Sequence, residues 1–462
     1  MSKKTKTIIA VLGAVLLLGG GYYWSLNRKT GNAASYQPYT PPTTLGNLLA
    51  SDIVKIEAPG ITLEKNGEVW ELGYFEGEIP PAGIELDQQR ILSMTYSLAN
   101  VWTELLVDDA PEDISIYGLD YPSSRLAVTD SSGRKAEYIL GNLTPSMNSY
   151  YIMQEGDPAV YSVASYVGGY MQLDLDSLRQ RYIIPYIEPE ELEYFVIETP
   201  AHRIEVRQRP ESLPFYLASS YSSYILTSPY QLHRGVNGEA LSNLMTALAG
   251  LSVVDFVDDN PSSLSPYGLD NAVRVFFQGE SESLDLLIGN EINGMRYAKF
   301  PHASGVFTVY GAENLVNASP FSLTDKFALL VNIQVVDRIT VSGSGRNLYA
   351  EVDDKGEDSV FSLNGRRAED KSFRQFYQAV IGLLMDAEYR ASPGLTLDLN
   401  SDENITIEYQ LNNPPGERVS ITLLPYNRDF YVLRQEGTME FLIARNQVRR
   451  IYETADSLVY QE

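Results

Sequence analysis

The chain repeats itself, and any fold assigned to it must accommodate that. Val107–Asp120 reads VDDAPEDISIYGLD and Val257–Asp270 reads VDDNPSSLSPYGLD; the two lie 150 residues apart without a gap and agree at nine of fourteen positions. The series continues downstream in the same order. Tyr138-Ile139-Leu140-Gly141-Asn142 is answered by Leu286-Leu287-Ile288-Gly289-Asn290, Val160-Tyr161-Ser162-Val163 by Val306-Phe307-Thr308-Val309, and Ser177-Leu178 by Ser322-Leu323. Self-similarity at a fixed period means that one structural unit has been laid down more than once.

A third, more divergent copy follows. Each unit opens on a strand-like run: DIVKIEA from Asp52, ELEYFVIE from Glu191 and VVDRITVS from Val335. Each then carries apolar residues at helical spacing: Ile91, Met94, Leu98 and Val101 in the first, Leu241, Leu244, Met245, Leu248 and Leu251 in the second, and Phe373, Phe376, Tyr377, Val380, Ile381 and Leu384 in the third. Such stripes predict one amphipathic helix per unit. Pro393-Gly394-Leu395 stands where the first two units have Tyr-Gly-Leu. Strands such as NITIEYQL, RVSITLLP and DFYVLRQ come next. Alternation at Arg203-Ile204-Glu205-Val206-Arg207 suits a strand with one buried face. The grammar is strand, strand, helix, Gly-Leu turn, then several strands. It predicts an α+β fold of tandem units, mostly antiparallel sheet with one main packing helix each. The expected units are 47–188, 189–332 and 333–462.

Ahead of them lies a different kind of sequence. Ile8–Trp24 reads IIAVLGAVLLLGGGYYW, seventeen residues without a charge. At about 1.5 Å per residue this run reaches roughly 26 Å, near the short limit for crossing a bilayer core. Lys3, Lys4 and Lys6 precede it, and Tyr22, Tyr23 and Trp24 close it as an interfacial aromatic belt would. Residues 1–26 are therefore expected to be a single-pass membrane anchor, with the N-terminus cytoplasmic and the body extracytoplasmic. A signal peptide cleaved near Gly31-Asn32-Ala33 is the alternative. Residues 27–46, NRKTGNAASYQPYTPPTTLG, have no apolar period and read as a spacer.

Charge separates the two parts. The chain holds 35 Lys and Arg against 60 Asp and Glu, a net of −25. Five of the bases, and no acid, fall in the first 29 residues, so the body carries 30 bases against 60 acids. Such a body repels phosphate backbones and argues against a nucleic-acid partner. The chain has no cysteine, which excludes disulfides, thiolate metal sites and cysteine nucleophiles. Its three histidines, His202, His233 and His302, lie far apart in sequence.

The ordered set of motifs resembles a known bacterial family. Tyr117-Gly118-Leu119 with Pro122, the Ile139-Leu140-Gly141 step, the Tyr150-Tyr151 and Val160–Val163 strands, and Trp70-Glu71-Leu72 after a Lys-Asn-Gly-Glu turn are similar to the domain-of-unknown-function 4340 family. Tyr267-Gly268-Leu269 and Ile288-Gly289 carry the likeness into the second unit, although Asn271-Ala272-Val273 lacks the proline. The resemblance covers most of residues 46–330. It implies an N-terminal membrane helix, an extracytoplasmic body and an accessory role beside an ABC-type transport system of the gliding-motility kind. It brings no catalytic residues with it.

Candidate chemistry is sparse. The pairs Asp108-Asp109 and Asp258-Asp259 could divide acid and base roles or hold a metal, but each precedes a proline and is expected to form a turn or cap. Asp398-x-Asn400-x-Asp402 imitates a calcium loop but has Glu403 where the loop glycine belongs and Tyr409 where the final glutamate belongs. Gly118 and Gly268 are expected in positive-φ turns. Ser342-Gly343-Ser344-Gly345 lacks the frame of a nucleophile elbow and reads as a turn, and no phosphate-binding glycine loop occurs. We expect no catalytic, cofactor-binding or metal-ligating residue and no cofactor. The expected function is a non-enzymatic, membrane-anchored accessory or scaffold protein with a protein partner in a transport or envelope complex. The Tyr- and Ser-rich segment 215–230 raises a receptor for a wall glycan or peptide as the alternative. A carboxylate-based envelope hydrolase is the remote one.

Overall fold

The computed structural model describes residues 43–76, 80, 84–211, 222–354, 358–391 and 396–461. The Ile8–Trp24 run and most of the spacer lie outside the described residues, as do 215–221 of the Tyr-rich segment and Pro393-Gly394-Leu395. Among the described residues no helix is long and apolar enough to cross a membrane. They fall into two compact units: those up to Pro80 together with Leu86–Leu178, and those of Pro81–Glu85 together with Arg179–Glu462.

The first unit holds one eight-stranded sheet and the second holds two nine-stranded sheets. All strand pairs are antiparallel, and the three sheets share one plan. Two meanders lie side by side, joined through their first strands: Ile53–Ala58 with Ser124–Asp130, Leu192–Glu198 with Val273–Gly279, and Val336–Gly343 with Ile405–Asn412. A helix follows the first meander. The chain then returns to the far edge of the sheet, where Leu105–Asp108, Ser252–Asp258 and Ala387–Glu388 pair with the last strand of the second meander. The tandem sheet units and their antiparallel pairing are therefore as the repeats predict, the third included.

The helices are α1 (Gln88–Ala99), α2 (Gly238–Ala249) and α3 (Asp370–Ile381). The starts of α1 and α2 follow from capping chemistry. The Asp87 side chain accepts from Arg90 N–H at 2.9 Å and the Asn237 side chain from Ala240 N–H at 2.8 Å, each satisfying an orphan donor of the first turn. The stripes face inward: Ile91, Met94 and Leu98 in α1, Leu244, Met245 and Leu248 in α2, and Phe373, Phe376, Tyr377 and Val380 in α3 are buried. Val101, Leu251 and Leu384 continue the helical spacing but lie beyond the helix ends, and Leu384 is 39% exposed. In strand Arg203–Gln208, Ile204 and Val206 are fully buried while Arg203 and Arg207 are exposed, the alternation its sequence predicts.

Two features depart from expectation. The spacer read over 27–46 ends earlier, because Thr44–Leu45 pairs with Val101–Trp102 and buries Leu45. The chain also closes on a further helix, α4 (Arg445–Asp456), which buries only Val448, Ile451 and Ala455 among arginines.

Candidate functional site

The recurring motifs come together as one contact, built twice. Asp108 ends the edge strand of the first sheet; one carboxylate oxygen accepts from Ala110 N–H at 3.1 Å and the other from the Tyr117 hydroxyl at 3.1 Å. Asp258 accepts from Asn260 N–H at 3.0 Å and from the Tyr267 hydroxyl at 2.9 Å. These bonds stabilise the protonated phenols. Tyr117 is pushed above its ordinary value first by burial and then by Asp108, and Tyr267 first by its hydrogen bond to Asp258. The rings meet Tyr151 and Tyr297 edge-on, with centroids 5.0 and 5.1 Å apart.

The glycines explain the rest of the signature. Gly118 and Gly268 sit at φ +70° and +68°, the left-handed region expected of them. A Cβ on Gly118 would lie 2.4 Å from Asn142 Cγ, and one on Gly268 would lie 2.3 Å from Asn290 Oδ1. A Cβ on Gly141 or Gly289 would approach the carbonyl oxygens of Tyr117 and Tyr267 to 2.3 and 2.2 Å. Strand register shifts at these steps, between Leu140 and Leu143 and between Ile288 and Glu291. The Tyr-Gly-Leu turn thus lies backbone-on against a bulge that only glycine permits, and Leu119 and Leu269 are buried beneath it. In the third sheet Leu424-Pro425 takes the place of Gly-Asn, and the pairing of Pro415–Pro425 with Phe430–Gln435 runs without a shift.

The second members of the acidic pairs part company. Asp109 is exposed, whereas Asp259 binds the guanidinium of Arg179 through both oxygens, at 2.6 and 2.5 Å. Arg179 is 6% exposed and packs over Phe256, its guanidinium carbon 4.6 Å from the ring centroid. This pair forms one wall of a cavity of about 590 Å³ in the second unit. Phe256, Leu284, Phe300 and Phe307 line its apolar part, and Glu85, Glu282, Asp285 and His302 reach its rim. Lys299 holds the wall loop in shape, donating its ammonium to the carbonyls of Phe300 and Ala303; burial pulls this lysine below its ordinary value.

Of the sequence motifs only the Asp258-Asp259 pair reaches this cavity, through Asp259, and the repeat points to the rest. By the register of the two units, Phe256, Phe300 and Phe307 stand where the first has Leu106, Gln154 and Tyr161. There Gln154 accepts from Gly46 N–H at 3.0 Å and the Tyr161 hydroxyl donates to Asp157 at 3.2 Å. Polar groups spent on local bonds in one copy are replaced by phenylalanines around a void in the other.

The remaining candidates are turns. Asp398 accepts from Asn400 N–H at 2.9 Å within an exposed loop, and Ser344 sits at φ +50° in the hairpin between Val336–Gly343 and Arg346–Asp353. Among the described residues no three acidic or histidine side chains gather as a metal would require. Of the Tyr-rich segment, Tyr224 donates to the Leu192 carbonyl at 2.9 Å and Tyr230 to Glu388 at 2.6 Å, so both hydroxyls serve the fold.

A family model described as Domain of unknown function (DUF4340) matches residues 79–272 and 225–385. The chain belongs to that family. Each DUF4340 match opens on the approach to a main helix, α1 or α2, and runs through the second meander into the next sheet. The Tyr-Gly-Leu turn and Gly-Asn bulge of the first two units both lie inside these spans. No curated protein and no solved structure matches the chain.

Proposed function

We propose that this DUF4340 protein is a non-enzymatic accessory or scaffold subunit, anchored through Ile8–Trp24, whose body stands outside the cytoplasmic membrane and serves an ABC-type transport or envelope complex. One observation carries the reading. The residues that recur between units, Asp108 and Asp258, Tyr117 and Tyr267, and the glycines beside them, spend their polar groups and their conformational freedom on seating a turn against a bulge. What the repeat preserves is architecture. A chain that multiplies an architectural unit extends surface, and extended surface suits contact with protein partners. The anchor and the acidic body agree with an extracytoplasmic address.

Two measurements test it. The chain has no cysteine, so a single Ser35→Cys in the spacer reports topology without background. Labelling of that thiol by a membrane-impermeant maleimide in intact cells is expected, and protection until lysis would overturn the orientation. Affinity purification from gently solubilised membranes is expected to bring down integral transport or envelope proteins in fixed ratio. A strictly solitary protein would overturn the accessory role.

A further inference from the structure

The cavity of the second unit is not required by the accessory role and calls for its own reading. Its volume of about 590 Å³ lies in the range of small-molecule sites. Its apolar part is aromatic, formed by Phe256, Phe300 and Phe307 with Leu284. Of the residues that line the cavity, the buried cation is Arg179, matched by the bidentate carboxylate of Asp259 into a neutral pair. Behind the wall Lys299 is held by the carbonyls of Phe300 and Ala303, and the Arg181 guanidinium lies 5.8 Å from the Phe256 ring centroid. At the rim, Asp285 is neutralised in the same way by Arg274, at 2.8 and 2.7 Å. Glu85 and Glu282 are exposed and make no ion pair among the described residues. An occupant therefore meets an apolar floor first and two unneutralised carboxylates at the mouth.

That order of surfaces selects one chemistry. A purely apolar molecule would leave the carboxylates unused. An anion would face repulsion from Glu85 and Glu282 and find Arg179 already engaged. An apolar group joined to a protonated amine satisfies both parts, with the ring or aliphatic chain among the phenylalanines and the ammonium at the rim. We propose that this cavity binds small amphipathic amines, the class that includes a hydrophobic residue at a free peptide N-terminus. Divergence between the repeats supports a specialised site. In the first unit the equivalent positions, Leu106, Gln154 and Tyr161, include two polar side chains already tied into local hydrogen bonds.

The test uses the full chain in lipid nanodiscs and two isosteric probes, para-fluorophenethylammonium and para-fluorophenylacetate, read by fluorine NMR. The ammonium is expected to bind at least about fivefold more tightly than the carboxylate, the discrimination two exposed rim charges supply. Glu85→Gln with Glu282→Gln, both at exposed positions, is expected to shrink that ratio to about twofold or less without moving the melting temperature. Ala303→Trp, which fills the cavity from its exposed wall, is expected to abolish binding of the ammonium probe. Equal binding of both probes overturns the proposal, as does a preference that survives the double substitution, binding that survives Ala303→Trp in a folded protein, or no binding at all. Copurification of a partner is a separate readout, so either reading can fail while the other stands.

Discussion

At the scale of single residues, the glycines of the repeated contact differ in what opposes a side chain. At Gly268 the obstacle is the Asn290 side chain together with a positive φ; at Gly289 it is the carbonyl oxygen of Tyr267, 2.2 Å from the added Cβ. A side chain can turn aside, whereas a backbone carbonyl moves only if the turn lifts off the sheet. Gly268→Ala is therefore expected to cost about 1–2 kcal/mol, mostly strain, and Gly289→Ala about 3 kcal/mol or more. Urea unfolding of the two variants checks the order, and Asn290→Ala is expected to relieve only the former. Lys326 makes a second case. Burial holds it down to about 8, against the pull of Glu388 and Asp325. Between there and its ordinary value near 10.5 the unfolded chain keeps a proton that the folded chain has released. Stability then rises with pH across that window. The buried tyrosines, raised above their ordinary value, oppose it only above about pH 10, where the unfolded phenols ionise. Unfolding midpoints measured between about pH 8 and pH 10 are expected to climb more steeply in the parent chain than in Lys326→Met, where Lys299, also pulled down by burial, leaves a smaller rise.

At the scale of elements, what the sequence reveals depends on how much a face buries. α3 announces itself because Phe373, Phe376, Tyr377 and Val380 fill one face, with Phe361 and Phe373 stacked at 4.5 Å. Phe373→Ala is expected to cost about 3–5 kcal/mol, the scale of an aromatic removed from a packed core, with loss of near-ultraviolet dichroism reporting the cavity. α4 is less conspicuous for another reason: Val448, Ile451 and Ala455 keep a clear helical period, but they are three small or medium apolar residues among charged ones and bury little bulk. The opening strands and the hairpins are legible from alternation and from turns such as that at Gly67. The edge strands are not, because their partner lies some fifty residues downstream in sequence, and Leu105–Asp108 and Ala387–Glu388 are short as well. The cavity was illegible for a related reason. Arg179, Phe256 and Phe300 come from three separated segments, and only the strand register shows that their counterparts in the first unit have another chemistry.

At the scale of the whole molecule, three sheets of one plan form only two compact units, and a short stretch after the strand Tyr224–Ser228 is one of the connections within the second, beside the backbone bonds of Lys326 and Ala328 with Met385 and Leu383. Tyr230 and Arg234, from the second sheet's segment, enter the third. The Tyr230 ring meets Phe441 edge-on at 4.8 Å and its hydroxyl binds Glu388, while Arg234 donates to Gln435 at 2.7 Å and lies over Phe441 at 4.8 Å, with Glu440 3.6 Å away. Arg234 and Gln435 are 5% and 3% exposed. Removing one member of such a buried set leaves the others desolvated without their partner, a loss of about 3–5 kcal/mol. That loss falls on the connection between the two sheets, since each retains its own apolar core. Calorimetry of the parent chain is expected to show the second and third sheets melting in a single transition. In Arg234→Ala that transition is expected to split in two, with the first unit's own transition unmoved. A uniform downward shift without splitting would mean that the sheets are held together by their apolar contacts, Phe321 and Tyr230 against Phe441, rather than by the charged set.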